Sequence, residues 1–239
     1  MASAEVQLAP VGWAAAGAAG VAAISAVDQL PAVGWFAALA YVIVSNALLL
    51  HGLRRRGAGR FGWANVVTAT RSALVACITG LVAASFVEPI SVPLLVGLAI
   101  PALALDAVDG WVARGTGSTT ELGARFDMEV DAFLLLVLSL YVSPILGPWV
   151  LTIGLMRYVF VAAGWGLPWL RVELPPRYWR KVVTAAQGIA LTFAASGLFP
   201  QLAGVLVAVA LALLVESFGR DVAWLALRGR ARRAELGAS

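Results

Sequence analysis

Four aspartates between residues 106 and 131 could together bind a metal ion. They are Asp106, Asp109, Asp127 and Asp131, spaced by three residues in the first pair and by four in the second. These spacings place each pair on one face of a helix. Carboxylates with no histidine or cysteine nearby select Mg²⁺, Mn²⁺ or Ca²⁺ over Zn²⁺. Mg²⁺ held by a few carboxylates and completed by substrate phosphates is common in phosphate chemistry, so the spacing predicts a metal site of that kind.

The helices that must position these aspartates are two apolar segments, 92–113 and 124–143, joined by the short linker 114–123. A linker this short makes the two helices antiparallel neighbours, so we expect all four carboxylates to converge just below a membrane surface. Four such charges repel one another and are costly near lipid unless a cation neutralises them. Two simpler alternatives are that the carboxylates cap helices, or that they pair with Arg114 and Arg125.

The composition identifies an integral membrane protein. Of the 239 residues, 61% are hydrophobic and only 13% are charged, which excludes an ordinary soluble domain. The single cysteine, Cys77, excludes an intrachain disulfide framework. The lone histidine, His51, lies outside the aspartate region and is interpreted as an interfacial residue and not a catalyst. We predict helical spans at 11–27, 33–51, 64–86, 92–113, 124–143, 147–167, 181–198 and 201–218, with a kink at Pro101.

Basic clusters set the orientation. They lie at residues 54–60, 171–181 and 228–233, and membrane proteins keep such clusters cytoplasmic. The aspartates then lie on the cytoplasmic side of an inner (plasma) membrane. No nucleic-acid-binding motif accompanies the clusters, so we expect no nucleic-acid partner. The tail 219–239 is predicted to be a basic amphipathic helix on the anionic leaflet, or else a solvated tail that sets topology.

The aspartate stretch resembles the signature of the CDP-alcohol phosphatidyltransferase family. It matches D-x2-D-G-x2-A-R-x8-G-x3-D-x3-D without a gap. Two weaker similarities flank it: NVVTATR (Asn65, Thr68, Arg71) and KVVTAAQ (Lys181, Thr184, Gln187). The resemblance implies an all-α polytopic membrane bundle with a six-helix core at 61–218. Residues 1–60 would add one or two transmembrane helices and a basic cytoplasmic loop before this core, and the tail would follow it. The family resemblance also suggests a homodimer.

The resemblance also implies a reaction and a site. The family moves a substituted phosphate group from a CDP-linked lipid donor to a small alcohol acceptor and releases CMP. By position, the four aspartates would bind one or two Mg²⁺ or Mn²⁺ ions, and Asp131 would be the general base. The expected nucleotide-binding residues are Asn65, Thr68, Asp109, Gly110, Ala113, Arg114 and Gly123.

The acceptor site is predicted from the positions of four basic side chains. Arg157 lies within an apolar span, where an arginine by default marks a functional site or a buried ion pair. With Arg125, Arg180 and Lys181 it predicts a phosphate-bearing acceptor such as glycerol phosphate or inositol phosphate. The alternatives are that Arg157 pairs with Glu129 or Glu216, and that the acceptor is neutral or zwitterionic, of the serine, choline or ethanolamine type.

Other classes of membrane protein fit the sequence less well. A prenyltransferase-like diphosphate enzyme would separate its two acidic motifs widely along the chain. A cation transporter would place carboxylates at the membrane midplane within a repeated architecture. An inactive scaffold would not be expected to keep all four aspartates.

Overall fold

The computed structural model describes the backbone of residues 4–56, 63–116, 121–172, 174–175 and 177–237. It describes the side chains of residues 12–51, 67–106, 123–167, 169–170, 172, 174–175 and 177–228. The described backbone is helical and contains no strand, which confirms the predicted all-α bundle. Its helices are α1 (Ala4–Asp28), α2 (Ala32–Arg56), α3 (Trp63–Ala84), α4 (Val92–Thr116), α5 (Glu121–Leu146), α6 (Leu151–Gly166), α7 (Tyr178–Ala195) and α8 (Pro200–Gly237). Two 3₁₀ turns, Pro148–Val150 and Pro168–Arg171, flank α6.

Each predicted span overlaps one of these helices. Five described segments are long and apolar enough to cross a membrane, in α2, α3, α5, α6 with its preceding 3₁₀ turn, and α8. Shorter apolar stretches occupy Gly12–Asp28 of α1 and Val92–Asp106 of α4. Helix α7 is not among the five, since Arg180 and Lys181 in its first turn and Gln187 near its middle lower its hydropathy. Helix α4 continues through Pro101.

The chain forms two compact units, one up to Tyr141 and one from Val142 onward. In the first unit α3 is the central helix and packs against α1, α2 and α4. Its side chains Val75, Ala76, Ile78 and Leu81 are completely buried. Such burial on several faces explains why this span tolerates polar side chains: their groups meet other helices instead of lipid.

Small residues bring the two N-terminal helices close to α3. A Cβ atom built on Gly34 of α2 would lie 2.8 Å from the carbonyl oxygen of Gly80 on α3. A Cβ atom on Gly20 of α1 would lie 3.1 Å from the Cys77 sulfur. Glycine at such positions permits close helix packing where no hydrophobic effect drives association. Residues of α1 and α2 therefore form part of the first unit's core.

The second unit is built mainly on the packing of α7 against α8. Leu191 of α7 and Val207 of α8 are completely buried there. Phe160 of α6 meets Phe218 of α8 edge to face, with ring centroids 5.5 Å apart. This edge-to-face geometry is a favourable arrangement of two aromatic rings.

The C-terminal tail continues α8 without a break. One helix of 38 residues runs from Pro200 to Gly237, because no proline follows Pro200 and strong helix formers fill the segment. Asp221 and Leu225, just past the predicted start of the tail at 219, are buried. These two residues are four apart, so one face of the described part of the tail is buried.

Candidate active site

A buried arginine on α3 organises the carboxylates of the first unit. Arg71 is only 1% exposed. Its Nη1 donates a hydrogen bond to Asp106 Oδ1 at 2.8 Å and lies 3.0 Å from Asp131 Oδ1. Its Nη2 donates to the carboxylate of Asp127 and to the Asp127 carbonyl oxygen, the latter at 3.3 Å. One guanidinium group therefore binds three carboxylates.

Two further helices supply those carboxylates. Asp106 lies on α4, and Asp127 and Asp131 lie one turn apart on α5. Their spacing of four directs both α5 side chains to the same face, which meets Arg71. The predicted convergence is thus found for these three aspartates. Asp109 lies on α4 as well, but its side chain is outside the described residues.

The geometry of the cluster fits a divalent cation. One oxygen from each carboxylate lies within 4.8 Å of the other two. Octahedral Mg²⁺, with bonds of about 2.1 Å, holds its ligand oxygens about 3–4 Å apart, so a small closure of the cluster would suffice. The three side chains are 38%, 31% and 21% exposed in the order Asp106, Asp127, Asp131, so a ligand can reach them. Three carboxylates and one guanidinium carry a formal charge of −2, which one divalent ion would balance.

The cluster contains a cation besides the two that the sequence alternatives named, Arg114 and Arg125. Arg71 reaches all three described carboxylates from a different helix. Arg125 lies exposed on α5, and the side chain of Arg114 is outside the described residues.

The predicted nucleotide-binding residues lie on the same three helices. Thr68 is buried one turn before Arg71 on α3, and Gly123 is half-buried near the start of α5. The rest are helical in backbone, but their side chains fall outside the described residues: Asn65 on α3, and Asp109, Gly110, Ala113 and Arg114 on α4.

The predicted acceptor residues divide between the two units. Arg125 belongs to the first unit, whereas Arg157 on α6 and Arg180 and Lys181 on α7 belong to the second. Arg157 is half-buried and Lys181 is exposed. Glu216, considered as a partner of Arg157, accepts a hydrogen bond from Trp179 Nε1 at 3.1 Å and forms an ion pair with Arg220.

A buried carboxylate in the second unit pairs with two arginines. Asp221 of α8 is 6% exposed and lies 3.5 Å from Arg180 Nε and 3.9 Å from Arg177 Nη1. Arg180 also donates a hydrogen bond to the carbonyl oxygen of Pro175. Two arginines at the start of α7 are thus held by one buried carboxylate on α8.

Sequence reasoning missed the roles of Arg71 and Asp221. Arg71 entered only as the last residue of a weak motif. The rule that drew attention to Arg157, an arginine inside an apolar span, applied equally to Arg71 and would have found it. Asp221 lies in a stretch interpreted as a surface tail, so nothing in its local sequence indicated burial.

Comparison with known proteins identifies one family. The model described as CDP-alcohol phosphatidyltransferase matches residues 61–216, which is more than half of the chain. The match begins just before α3, includes every described residue of the carboxylate cluster and ends within α8. No curated protein and no solved structure matches the chain.

Proposed function

Because the chain belongs to the CDP-alcohol phosphatidyltransferase family, we propose that its carboxylate cluster transfers a phosphatidyl group to a phosphate-bearing alcohol and releases CMP. Membership establishes the general reaction, transfer of a phosphatidyl group from a CDP-linked donor to an alcohol acceptor by a multi-pass membrane protein. The donor we propose is CDP-diacylglycerol, and the acceptor is glycerol phosphate or inositol phosphate. The family match disfavours the prenyltransferase-like alternative.

The observation that carries this proposal is the grouping of Asp106, Asp127 and Asp131 around one buried guanidinium. Their oxygens come within 4.8 Å of one another while the side chains stay partly exposed. A purely structural ion pair would need one carboxylate for one arginine. The excess negative charge at an accessible place supports a site for a cation and for the diphosphate of the donor.

We propose Mg²⁺ or Mn²⁺, one or two ions, as the cofactor. Asp106, Asp109, Asp127 and Asp131 would hold it, since hard carboxylate oxygens suit these ions. When bound, the metal would stabilise negative charge on the diphosphate and on the departing CMP. Arg71 keeps the carboxylates together on the side of the cluster that faces α3.

Asp131 is the proposed general base. Its carboxylate accepts the proton of the acceptor hydroxyl as that oxygen forms a bond to the phosphorus carrying the lipid. The phosphorus–oxygen bond to CMP breaks, and CMP leaves with the bonding electrons. Its partial exposure and its link to the buried Arg71 support this role, because a base must be both reachable and fixed in place.

The cytidine nucleotide of the donor would lie against α3 and the two helix ends that follow. Asn65 and Thr68 on α3, Asp109, Gly110, Ala113 and Arg114 on α4, and Gly123 on α5 are the proposed contacts. Small residues permit close approach of a ligand to the helix backbone, and an arginine can bind a phosphate through two parallel hydrogen bonds.

The phosphate-bearing acceptor is proposed from Arg125, Arg157, Arg180 and Lys181. One observation favours the neutral or zwitterionic alternative: Asp221 already neutralises part of the charge at the start of α7. Arg157 remains the strongest support, since a half-buried arginine in an apolar helix needs a functional or structural reason to be there.

The test is CMP release by the purified protein with CDP-diacylglycerol and a panel of acceptors. We expect turnover with glycerol phosphate or inositol phosphate, dependence on Mg²⁺ or Mn²⁺, and loss of activity on chelation. Equal turnover with serine or choline, and none with the phosphate-bearing alcohols, would refute the proposed acceptor class.

A matched pair of variants tests the base. Asp131→Asn should abolish CMP release and leave donor binding intact, because the amide keeps the shape but cannot take the proton. Asp28→Asn is the control, since Asp28 accepts a hydrogen bond from the Ser91 backbone at 2.9 Å and lies outside the cluster. Robust activity in Asp131→Asn would overturn the base assignment.

The remaining proposals concern location and assembly. The positions of the basic clusters support an inner-membrane protein with its active site facing the cytoplasm. A homodimer is proposed from family resemblance alone. Accessibility of Lys181 to an impermeant amine reagent from one side of sealed vesicles would test the orientation.

A further inference from the structure

The two N-terminal helices lie outside the family match, yet one of their side chains contacts two of the three helices that carry the cluster. Tyr41 of α2 and Ser72 of α3 share a hydrogen bond between their hydroxyl oxygens, which lie 3.0 Å apart. The ring of Tyr41 also stacks on Phe133 of α5, with centroids 4.7 Å apart and an interplanar angle of 22°. Tyr41 therefore bridges α3 and α5 from outside the matched region.

The two contacts of Tyr41 are adjacent to site residues along each helix. Ser72 directly follows Arg71, the arginine that binds the three carboxylates. Phe133 comes two residues after Asp131 on α5. A shift of either helix at these points moves the guanidinium relative to the carboxylates, because backbone displacement passes directly to neighbouring residues in a packed core.

The same face of α5 meets the N-terminal helices at a second place. Phe126 lies seven residues before Phe133 and so shares its helix face. It lines a small cavity together with Trp13 and Gly17 of α1 and Ser72 of α3. Phe126 and residues of the N-terminal helices thus border the same cavity, while Asp127 and Asp131 contact Arg71.

We infer that Tyr41 is a positioning residue, through which the added N-terminal helices fix the distance between Arg71 on α3 and the carboxylates on α5. The inference rests on the proposed metal-dependent function. On this inference, α1 and α2 help to hold Arg71 and the carboxylates of the cluster at fixed distances from one another.

The hydrogen bond and the ring stacking of Tyr41 constrain different motions of the neighbouring helices. A hydroxyl pair has a preferred distance and so fixes Ser72 relative to α2. Stacking of the rings restricts how α5 can slide along α2. Loss of the hydroxyl alone should leave the stacking in place, which allows the two contributions to be separated.

The experiment is a Mn²⁺ titration of thermal unfolding on the full chain in detergent. We expect Tyr41→Phe and Ser72→Ala each to raise the half-saturating Mn²⁺ concentration about two- to tenfold, the change that loss of one hydrogen bond produces. The double variant should do no more than either single one, since both remove the same bond. A merely structural role would lower the melting temperature at every Mn²⁺ concentration without moving the half-saturation point.

Ser25→Ala is the matched control. Ser25 accepts a hydrogen bond from Trp35 Nε1 at 3.2 Å, which links α1 to α2 and involves neither α3 nor α5. It should leave the half-saturating concentration unchanged. The inference is overturned if Tyr41→Phe and Ser72→Ala also leave it unchanged, or if Ser25→Ala shifts it equally. A wild-type protein that does not respond to Mn²⁺ would instead refute the metal site of the proposed function and this inference with it.

Discussion

Replacing Arg71 with methionine tests whether the buried guanidinium holds the cluster together. Methionine keeps the apolar part of the side chain and removes the charge and every donor. The three carboxylates would then lose the guanidinium group that lies 2.8 Å from Asp106 and 3.0 Å from Asp131 in the native protein. Like charges at this range repel strongly, so the metal-free protein should lose stability.

The expected loss of stability depends on how deeply Arg71 and its carboxylate partners are buried. Removing one partner of a fully buried ion pair costs about 3–5 kcal/mol. Here Arg71 is 1% exposed, but its carboxylate partners are 21–38% exposed and can recover part of their hydration. Solvent screening reduces the expected loss to about 2–3 kcal/mol. For a chain of this length that corresponds to a fall in melting temperature of about 5–10 °C.

The assay is thermal unfolding in detergent, with and without saturating Mn²⁺. The difference in melting temperature between Arg71→Met and the wild type should be smaller with Mn²⁺, because the ion supplies the missing positive charge. The melting temperature of Arg71→Lys should lie between those of Arg71→Met and the wild type. One ammonium group keeps the charge but cannot reach three carboxylates as a planar guanidinium group does. Arg228→Met is the control: Arg228 is exposed, lies 4.8 Å from the Trp224 ring centroid, and should cost less than about 1 kcal/mol.

The reasoning is refuted if metal-free Arg71→Met melts within about 1 °C of the wild type, because the ion pairs would then contribute nothing measurable. It is also refuted if Arg228→Met is equally destabilised, since the effect would then reflect general loss of charge.

Two further predictions concern packing and the second unit. Gly34→Ala should destabilise the protein by about 1–3 kcal/mol, because its Cβ would lie 2.8 Å from the Gly80 carbonyl oxygen. Gly97→Ala, with nothing within 4 Å of the added Cβ, should be neutral or slightly stabilising, and equal melting temperatures for the two variants would contradict the close α2–α3 packing. Asp221→Asn should cost about 1–2 kcal/mol by weakening the ion pairs with Arg177 and Arg180, and an unchanged melting temperature would show that those contacts are not stabilising. If the released arginines bind the acceptor phosphate, acceptor KM should also change while donor KM does not.

The fold was largely predictable from the sequence because membrane helices have a strong, local signal. Runs of about 20 apolar residues separated by prolines and basic clusters indicate where helices begin and end. Each predicted span accordingly overlaps one helix. The burial of Asp221 and Leu225 was not predictable, because it depends on contacts with distant residues that local composition does not reveal.

The sequence by itself determined the helical membrane class and the gathering of the aspartates. Spacings of three and four place side chains on one helix face, and a short linker between two apolar segments brings two helix ends together. These are local constraints, so they can be read from one stretch of chain.

Only the tertiary structure decided which cation holds those aspartates. Arg71 is 35 residues from Asp106 and 56 from Asp127 along the chain, and no spacing rule connects them. Their meeting depends on how α3 packs among its neighbours. The role of α2 was hidden for the same reason, because Tyr41 reaches Ser72 and Phe133 only after the helices assemble.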